Sequence, residues 1–280
     1  MTEAKVMTIQ DISCYGQCSL TVALPIISAC GIETAILPSA VLSTHTGGFM
    51  NFTFRDLTDD IPKIMEHWMR EGIKFDCIYT GYLGSLTQIE YVKALFKNVL
   101  KEGGLKIVDP AMADNGKLYY GFDTDFAHAM AGLCGEADII LPNITEACFM
   151  CDKEFIPKHH TQEYIDDLLT ALNDLGARKI VLKGVSYEES KLGIVVYDTE
   201  TDEKMEYFNE KVDWMSHGTG DCYAAAFTGA ILQGMSLYDA AALAADFVVE
   251  ALRFTKGDEN HKYGVKFEKA LPMLVERLNK

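Results

Sequence analysis

The sequence predicts a three-layer α/β sandwich with a largely parallel central sheet and a small flap over one edge. Strand-like and helix-like stretches alternate nearly throughout the 280 residues. The apolar strand runs are short and almost unbroken, as expected of strands covered on both faces. That alternation is the pattern of α/β architecture, and with no repeat, low-complexity stretch or linker, one domain over residues 1–280 is the expectation.

The elements follow in order. "KVMTIQ" reads as a strand, "CSLTVALPIISACG" as a helix closed by Gly31, and "IETAILPS" as a second strand. "STHTGGFMNFTFRDL", rich in Gly, Thr and aromatics, breaks the rhythm and predicts a flap at about residues 40–56. "FDCIYTGYLG" and "LKIVDPAM" read as strands, with "LTQIEYVKALFKNVLKEGG" as the helix between them. "DFAHAMAGLCGEA" gives a helix, "DIILPN" a strand, "TQEYIDDLLTALNDLGA" a helix and "RKIVLKG" a strand. Two alternating runs around a polar turn make "LGIVVYDTETDEKMEYFNE" a β-hairpin. Beyond Gly218 the chain reads as three helices.

Composition narrows the function classes. With 41 acidic against 25 basic residues the formal net charge is −16. A nucleic-acid polymer or an anionic membrane needs a positive surface, so neither is expected as a partner. A small phosphate ligand needs only a local pocket and stays open. No apolar run is long enough to span a bilayer, and "MTEAKVMTIQ" lacks the layout of a signal peptide. Eight scattered cysteines suit reduced thiols in a cytoplasm. Cys148 and Cys151 form a C-x-x-C, but no second pair completes a zinc site, so both read as buried small residues.

Ligands of open α/β sheets bind beyond the carboxyl ends of the strands. Gln10-Asp11, Thr80-Gly81-Tyr82, Asp109-Pro110, Asn143 and Lys183-Gly184 all follow apolar runs and fall at that end. Late in the chain, "HGTGD" precedes the small-residue run "AAAFTGA". Backbone N–H groups from Gly218 to Asp221 at a helix start would hold an oxyanion, helped by the helix dipole. Asp221 would either cap that helix or act as a base. There is no G-x-x-x-x-G-K-[ST], and Tyr223 breaks G-x-G-x-x-G, so neither a P-loop nor a dinucleotide fingerprint is present. An anion hole beside a carboxylate suits phosphoryl transfer to a hydroxyl.

"GTGD" opening a late helix resembles the ribokinase-like superfamily of small-molecule kinases. Within it, "TIQDISCYG", "LSTHTGGF", "TGYLGS", "VDPAMADNGKLY", "DIILPNITEA", "IVLKG" and "GTGDCYAAAFTGAILQG" resemble the pyridoxal (pyridoxine, pyridoxamine) kinases, in that order over nearly the whole chain. The resemblance implies an ATP- and Mg²⁺-dependent kinase of the 5′-hydroxymethyl group of a B6 vitamer, serving vitamin B6 salvage. It implies Asp221 as base and Gly218, Thr219 and Gly220 as anion hole. Asp109, Asn143, Glu146 and Lys183 would lie at the nucleotide, with Asp109 and Glu146 near Mg²⁺. Asp11, Thr46, Gly47 and Tyr82 would hold the ring. A monovalent cation is a further candidate cofactor, and a homodimer is the family expectation.

Simpler readings stand beside these roles. Asp109 could start a turn, Asn143 or Thr145 could cap a helix with Glu146 in its first turn, and Lys183 could be a solvated lysine. His45 could be a flap packing residue or a substrate contact. The chain also departs from the family. Asp11 stands where those kinases read serine, and Ser19-Leu20 where they read Gly-Asn. Gly47-Gly48 stands where a glutamine and an aromatic often occur. The related hydroxymethylpyrimidine kinases carry a Gly-rich stretch after the first strand that "SCYGQCSLTVA" does not supply. The rival functions are therefore a kinase of another hydroxymethyl heteroaromatic, such as hydroxymethylpyrimidine, or of a nucleoside. From a different class, a non-catalytic nucleotide- or B6-binding protein is the alternative.

Overall fold

In the computed structural model, which describes residues 4–261 and 263–279, nine strands form one sheet in the order β11-β10-β9-β8-β5-β4-β1-β2-β3. The six inner strands are parallel: β2 (Glu33–Leu42), β1 (Lys5–Ser13), β4 (Phe75–Thr80), β5 (Leu100–Val108), β8 (Ile139–Ile140) and β9 (Lys179–Val185). The predicted hairpin, β10 (Lys191–Asp198) and β11 (Glu203–Glu210), closes one side antiparallel. β3 (Phe54–Asp56) closes the other by folding back on the end of β2, so that Leu42 pairs with Phe54. Residues 43–53 between them form the flap loop.

Helices cover both faces. α2 (Ile61–Arg70), α3 (Leu86–Asn98), α4 (Thr124–Cys134), α5 (Ile144–Met150) and α6 (Gln162–Asp174) pack on one face, burying Ile61, Val92, Met130, Ala147 and Leu168. α1 (Leu20–Ala29), α7 (Thr219–Leu232), α8 (Leu237–Thr255) and α9 (Phe267–Leu278) pack on the other, burying Ile26, Phe227, Phe247 and Leu274. The run "CYAAAFTGA" is buried throughout, because small side chains let α7 lie close to α1 and α8. Gly229 shows the limit: a Cβ there would stand 2.4 Å from the Cys30 sulfur.

Two expectations needed revision. The helix after β4 ends at Asn98, and Leu100 already pairs with Phe75. β5 then bulges across Lys101–Gly104 and resumes at Leu105 opposite Cys77, with Gly103 at φ 71°. "VLKEGG" is thus strand and bulge. A second hairpin also went unread: β6 (Ala113–Asp114) and β7 (Lys117–Leu118) flank Asn115-Gly116, both at positive φ. No helix among the described residues is long and apolar enough to cross a membrane. Cys148 and Cys151 are free thiols, Cys148 lying 3.1 Å from the Tyr164 hydroxyl.

Candidate active site

The parallel strands deliver their polar ends to one edge of the sheet. Asp109, just past β5, donates its N–H to the Thr80 carbonyl at the end of β4 (3.0 Å). Asn143 bridges in parallel to Lys183, whose N–H reaches the Pro142 carbonyl (2.8 Å). The parallel register therefore aligns these positions, and the side chains need no loop rearrangement to meet.

Above this edge lies the head of α7. Gly218 is its N-cap residue, at φ 75°, and no side chain caps the helix. The first N–H groups of a helix have no partner within it, so Thr219, Gly220 and Asp221 present donors toward the space in front. A Cβ on Gly220 would meet nothing within 4 Å, which leaves room for a ligand against the backbone. Gly218 is different. Its Cβ would stand 1.7 Å from the Gln17 carbonyl oxygen, at a φ that strains any side chain. Gly218→Ala is therefore expected to displace the loop by about an ångström and to lower kcat/KM roughly 10²-fold, read by steady-state kinetics on protein that still melts cooperatively.

Asp221 does not cap its own helix. Its Oδ2 accepts the N–H of Ser19, at the head of α1 (3.0 Å). Burial pushes its carboxyl up to about 7; the Ser19 N–H opposes this, the carboxylates of Asp109 and Asp11 add to it, and Lys183 pulls back. A carboxyl tuned near neutrality is what a general base requires.

Behind it, Lys183 Nζ donates to Asp109 Oδ1 (2.9 Å), with both side chains nearly sealed from solvent. Burial raises the Asp109 carboxyl and Lys183 opposes the rise. For Lys183 burial works downward, but Asp109 and Glu146 overcome it and hold the ammonium above its usual range. The surface-lysine reading of Lys183 is thus excluded. Asn143 and Glu146 form a complete capping box: Asn143 Oδ1 accepts the Glu146 N–H (2.9 Å) and Glu146 Oε2 accepts the Asn143 N–H (2.7 Å). Burial lifts Glu146 to about 8, with Lys183 opposing and Asp109 adding.

Among the described residues no three His, Cys, Asp or Glu groups converge to cage a metal. Mg²⁺ does not demand a cage, since it keeps several waters and takes one or two carboxylates plus phosphates. Asp109 fits that role: it is buried at this edge, and its Oδ1 takes the Lys183 ammonium. Glu146 is already engaged by two backbone N–H groups, including Met112 (3.4 Å), so it fits support through water or charge.

On the acceptor side, Asp11 is buried and accepts from the Ser13 hydroxyl (2.9 Å). Burial raises its carboxyl, with the nearby Ser19 and Ser13 side chains opposing the rise. Tyr82 lies against Phe122, ring centroids 5.5 Å apart, and burial, then the Asp11 charge, pushes its phenol up to about 12. Gly47 brings the flap against His217, just before α7, since a Cβ there would stand 2.7 Å from the His217 ring. Thr46 is exposed on the flap. His45 is a packing residue: Nδ1 accepts the Gly47 N–H (3.1 Å), Nε2 faces the Tyr263 carbonyl (3.0 Å) and its ring packs on Phe49.

Three residues have contacts that sequence reasoning did not give them. Ser19 read as part of a helix and holds Asp221. His217, next to the glycines, packs on His45 at 5.1 Å between ring centroids. Tyr119, exposed, follows the β6–β7 hairpin, and its N–H donates to the Met112 carbonyl (2.8 Å). The "DNG" turn was the available signal for that hairpin.

Comparison with known proteins gives the family. A model of the family described as phosphomethylpyrimidine kinase matches residues 27–266. The chain belongs to this family. It sits in the ribokinase-like superfamily, and pyridoxal kinases are among its structural neighbours. A Bacteroides thetaiotaomicron protein provisionally assigned as a phosphomethylpyrimidine kinase, crystallised with pyridoxal, is 35% identical, with a TM-score of 0.92 over 98% of this chain and 96% of that one. Pyridoxal kinase from Lactobacillus plantarum is 29% identical, with a TM-score of 0.88 over 98% and 97%. The hydroxymethylpyrimidine/phosphomethylpyrimidine kinase of Bacillus subtilis is 26% identical over 263 residues, 91% of this chain and 84% of that protein. The family match begins beyond Asp11 and Ser19, two of the departures from the expected pattern, and includes the third, Gly47-Gly48. The expected kinase and fold hold, while the relatives divide between pyridine and pyrimidine alcohols.

Proposed function

We propose that the protein transfers the γ-phosphoryl group of ATP to the 5′-hydroxymethyl group of pyridoxal, pyridoxine or pyridoxamine, with Mg²⁺. The observation that carries this reading is Asp221, turned away from capping α7 and toward Ser19, with Asp11 on the same side. Asp221 accepts the hydroxyl proton as the acceptor oxygen bonds to the γ-phosphorus. The bond from that phosphorus to the β–γ bridging oxygen breaks, and its electron pair leaves with ADP. The amides of Gly218, Thr219 and Gly220 hold the phosphoryl oxygens during the passage. Mg²⁺, held near Asp109 and supported by Glu146 and Asn143, would neutralise phosphate charge; Lys183 would add a cation beside it. Asp11, Tyr82 and the flap residues Thr46 and Gly47 would hold the ring.

A second reading is favoured by the family match and by Asp11 itself. A buried carboxylate would also bind the amino group of an aminopyrimidine, which makes hydroxymethylpyrimidine the rival acceptor. Competition between pyridoxal, pyridoxine, pyridoxamine and hydroxymethylpyrimidine, compared by kcat/KM, tests the proposal. The expected result is a B6 vitamer ahead; a preference for the pyrimidine would overturn the substrate assignment. Because the base must be ionised, kcat should rise with pH through a midpoint near 7 and level off above it. A flat profile between pH 5.5 and 8.5 would contradict Asp221 as the base.

A further inference from the structure

We propose that His45 is a positioning residue for the acceptor: its neutral imidazole bridges the flap to the segment before α9, and uptake of a proton releases Thr46 and Gly47. The inference rests on the kinase reading above and deepens its account of acceptor binding.

The two ends of the imidazole meet partners that cannot exchange roles. An amide N–H only donates, so Nδ1, which takes the Gly47 N–H (3.1 Å), is bare. A carbonyl only accepts, so Nε2, 3.0 Å from the Tyr263 carbonyl, carries the hydrogen. The ring is thereby held as the neutral Nε2–H tautomer. A second proton, at Nδ1, would face the Gly47 N–H donor to donor. Glycine makes the seat: a Cβ on Gly16, at φ 126°, would stand 2.2 Å from His45 Cδ2. The same Tyr263 carbonyl also accepts the Gln17 N–H (3.0 Å), and the Gln17 carbonyl is the one pressed on Gly218. One oxygen therefore ties the flap and the loop behind the anion hole to a common point.

The groups around the ring favour its neutral form. His45 is buried, and His217, just before α7, lies 5.1 Å from it between ring centroids. Tyr15, after β1, accepts the His45 N–H on its carbonyl (3.3 Å), and its ring lies 4.7 Å from that of Tyr263. His261 packs on Tyr263 in turn at 4.2 Å, and Glu268 of α9 accepts the Gln17 side-chain amide (2.8 Å). Burial, then the His217 charge, hold the His45 imidazole below its ordinary value, against the pull of the Tyr263 carbonyl. Thr46 and Gly47 follow His45 directly. Losing the bond to Gly47 therefore loosens the acceptor and leaves the nucleotide side alone.

His45→Gln tests the bridge, because it imitates the protonated ring. Its side-chain amide can still donate to the Tyr263 carbonyl, but it offers no acceptor at the Nδ1 position. With whichever alcohol of the competition panel turns over fastest, the variant should raise the acceptor KM roughly 5–10-fold at pH 8, the scale of one hydrogen bond. The loss should fall on the acceptor KM rather than on kcat, with the KM for ATP unchanged. The ratio of variant to wild-type acceptor KM should shrink toward one by about pH 5, where the wild-type ring carries the second proton. Titration of Asp221 and of the acceptor is common to both proteins and cancels in that ratio. A ratio that stays constant across this range, or an unchanged KM at pH 8, would overturn the proposal. Nitrogen-15 NMR of the free protein needs no acceptor. It should show His45 as the Nε2–H tautomer at pH 8, with the Gly47 amide shifting in step with His45 protonation. The Nδ1–H tautomer, or a Gly47 amide indifferent to His45, would equally overturn it. If the wild-type protein phosphorylates no alcohol of the panel, the kinase reading fails, and the NMR titration alone decides the bridge.

Discussion

Asp221→Asn should lower kcat by about 10²–10⁴-fold, the usual contribution of a positioned general base, while ATP binding is kept. The asparagine oxygen can still accept the Ser19 N–H, so the loop and the head of α7 should stay in place. The stability effect has the opposite sign to the catalytic one. The folded protein holds the Asp221 carboxyl near 7, well above its ordinary value, because burial disfavours the charge. Such a group stabilises fully only below its unfolded pKa and loses that contribution as pH rises through about 7. At pH 8 the wild-type protein carries the cost of a buried charge that the asparagine removes. The variant should therefore melt at least as high as wild type at pH 8, with the advantage fading toward pH 4. Turnover lost together with Tm would instead assign Asp221 a structural role.

Lys183→Met should produce the largest loss of stability. The ammonium donates to Asp109 (2.9 Å) and feels the charge of Glu146, with its Nζ also 5.9 Å from the centre of the Tyr223 ring. Removing one partner of a buried pair leaves an uncompensated charge, typically at a cost of about 3–5 kcal/mol. Glu146 already sits near 8 with the lysine present, and without it both carboxyls would rise further. The deficit should be greatest above pH 8 and shrink on acidification, as Asp109 and Glu146 take up protons. Adding Asp109→Asn should restore part of the melting temperature, because the exposed partner is then neutral. Urea unfolding across pH 5.5–9 would measure this; a deficit independent of pH would mean that packing of the lysine stem dominates.

Much of the scaffold was legible because its signals are local. Unbroken apolar strand runs and polar residues at their ends located β1, β4, β5, β8 and β9 and the edge where the site lies. Asn143 and Glu146 were visible as a helix start, and the capping box they form does not conflict with a place beside the phosphates. Boundaries failed where two local preferences competed: "KNVLKEGG" continues a helical pattern, but pairing of Leu100 with Phe75 draws it into the sheet. Contacts distant in sequence were beyond reach. Nothing near Ser19 announces a bond to a carboxylate 202 positions away, and nothing in "GTGD" says that its aspartate leaves its own helix uncapped. Likewise the glycines 218 and 220 look alike in sequence. Only packing separates them: one is pressed on the Gln17 carbonyl and the other opens onto free space.

Phosphorus NMR of the protein with ATP, Mg²⁺ and pyridoxine follows the transferred group itself. The account predicts a new phosphomonoester resonance, split by the adjacent CH₂ protons, growing in step with ADP and nearly absent with Asp221→Asn. ATP consumed only to inorganic phosphate, or an ester formed equally fast by Asp221→Asn, would contradict it.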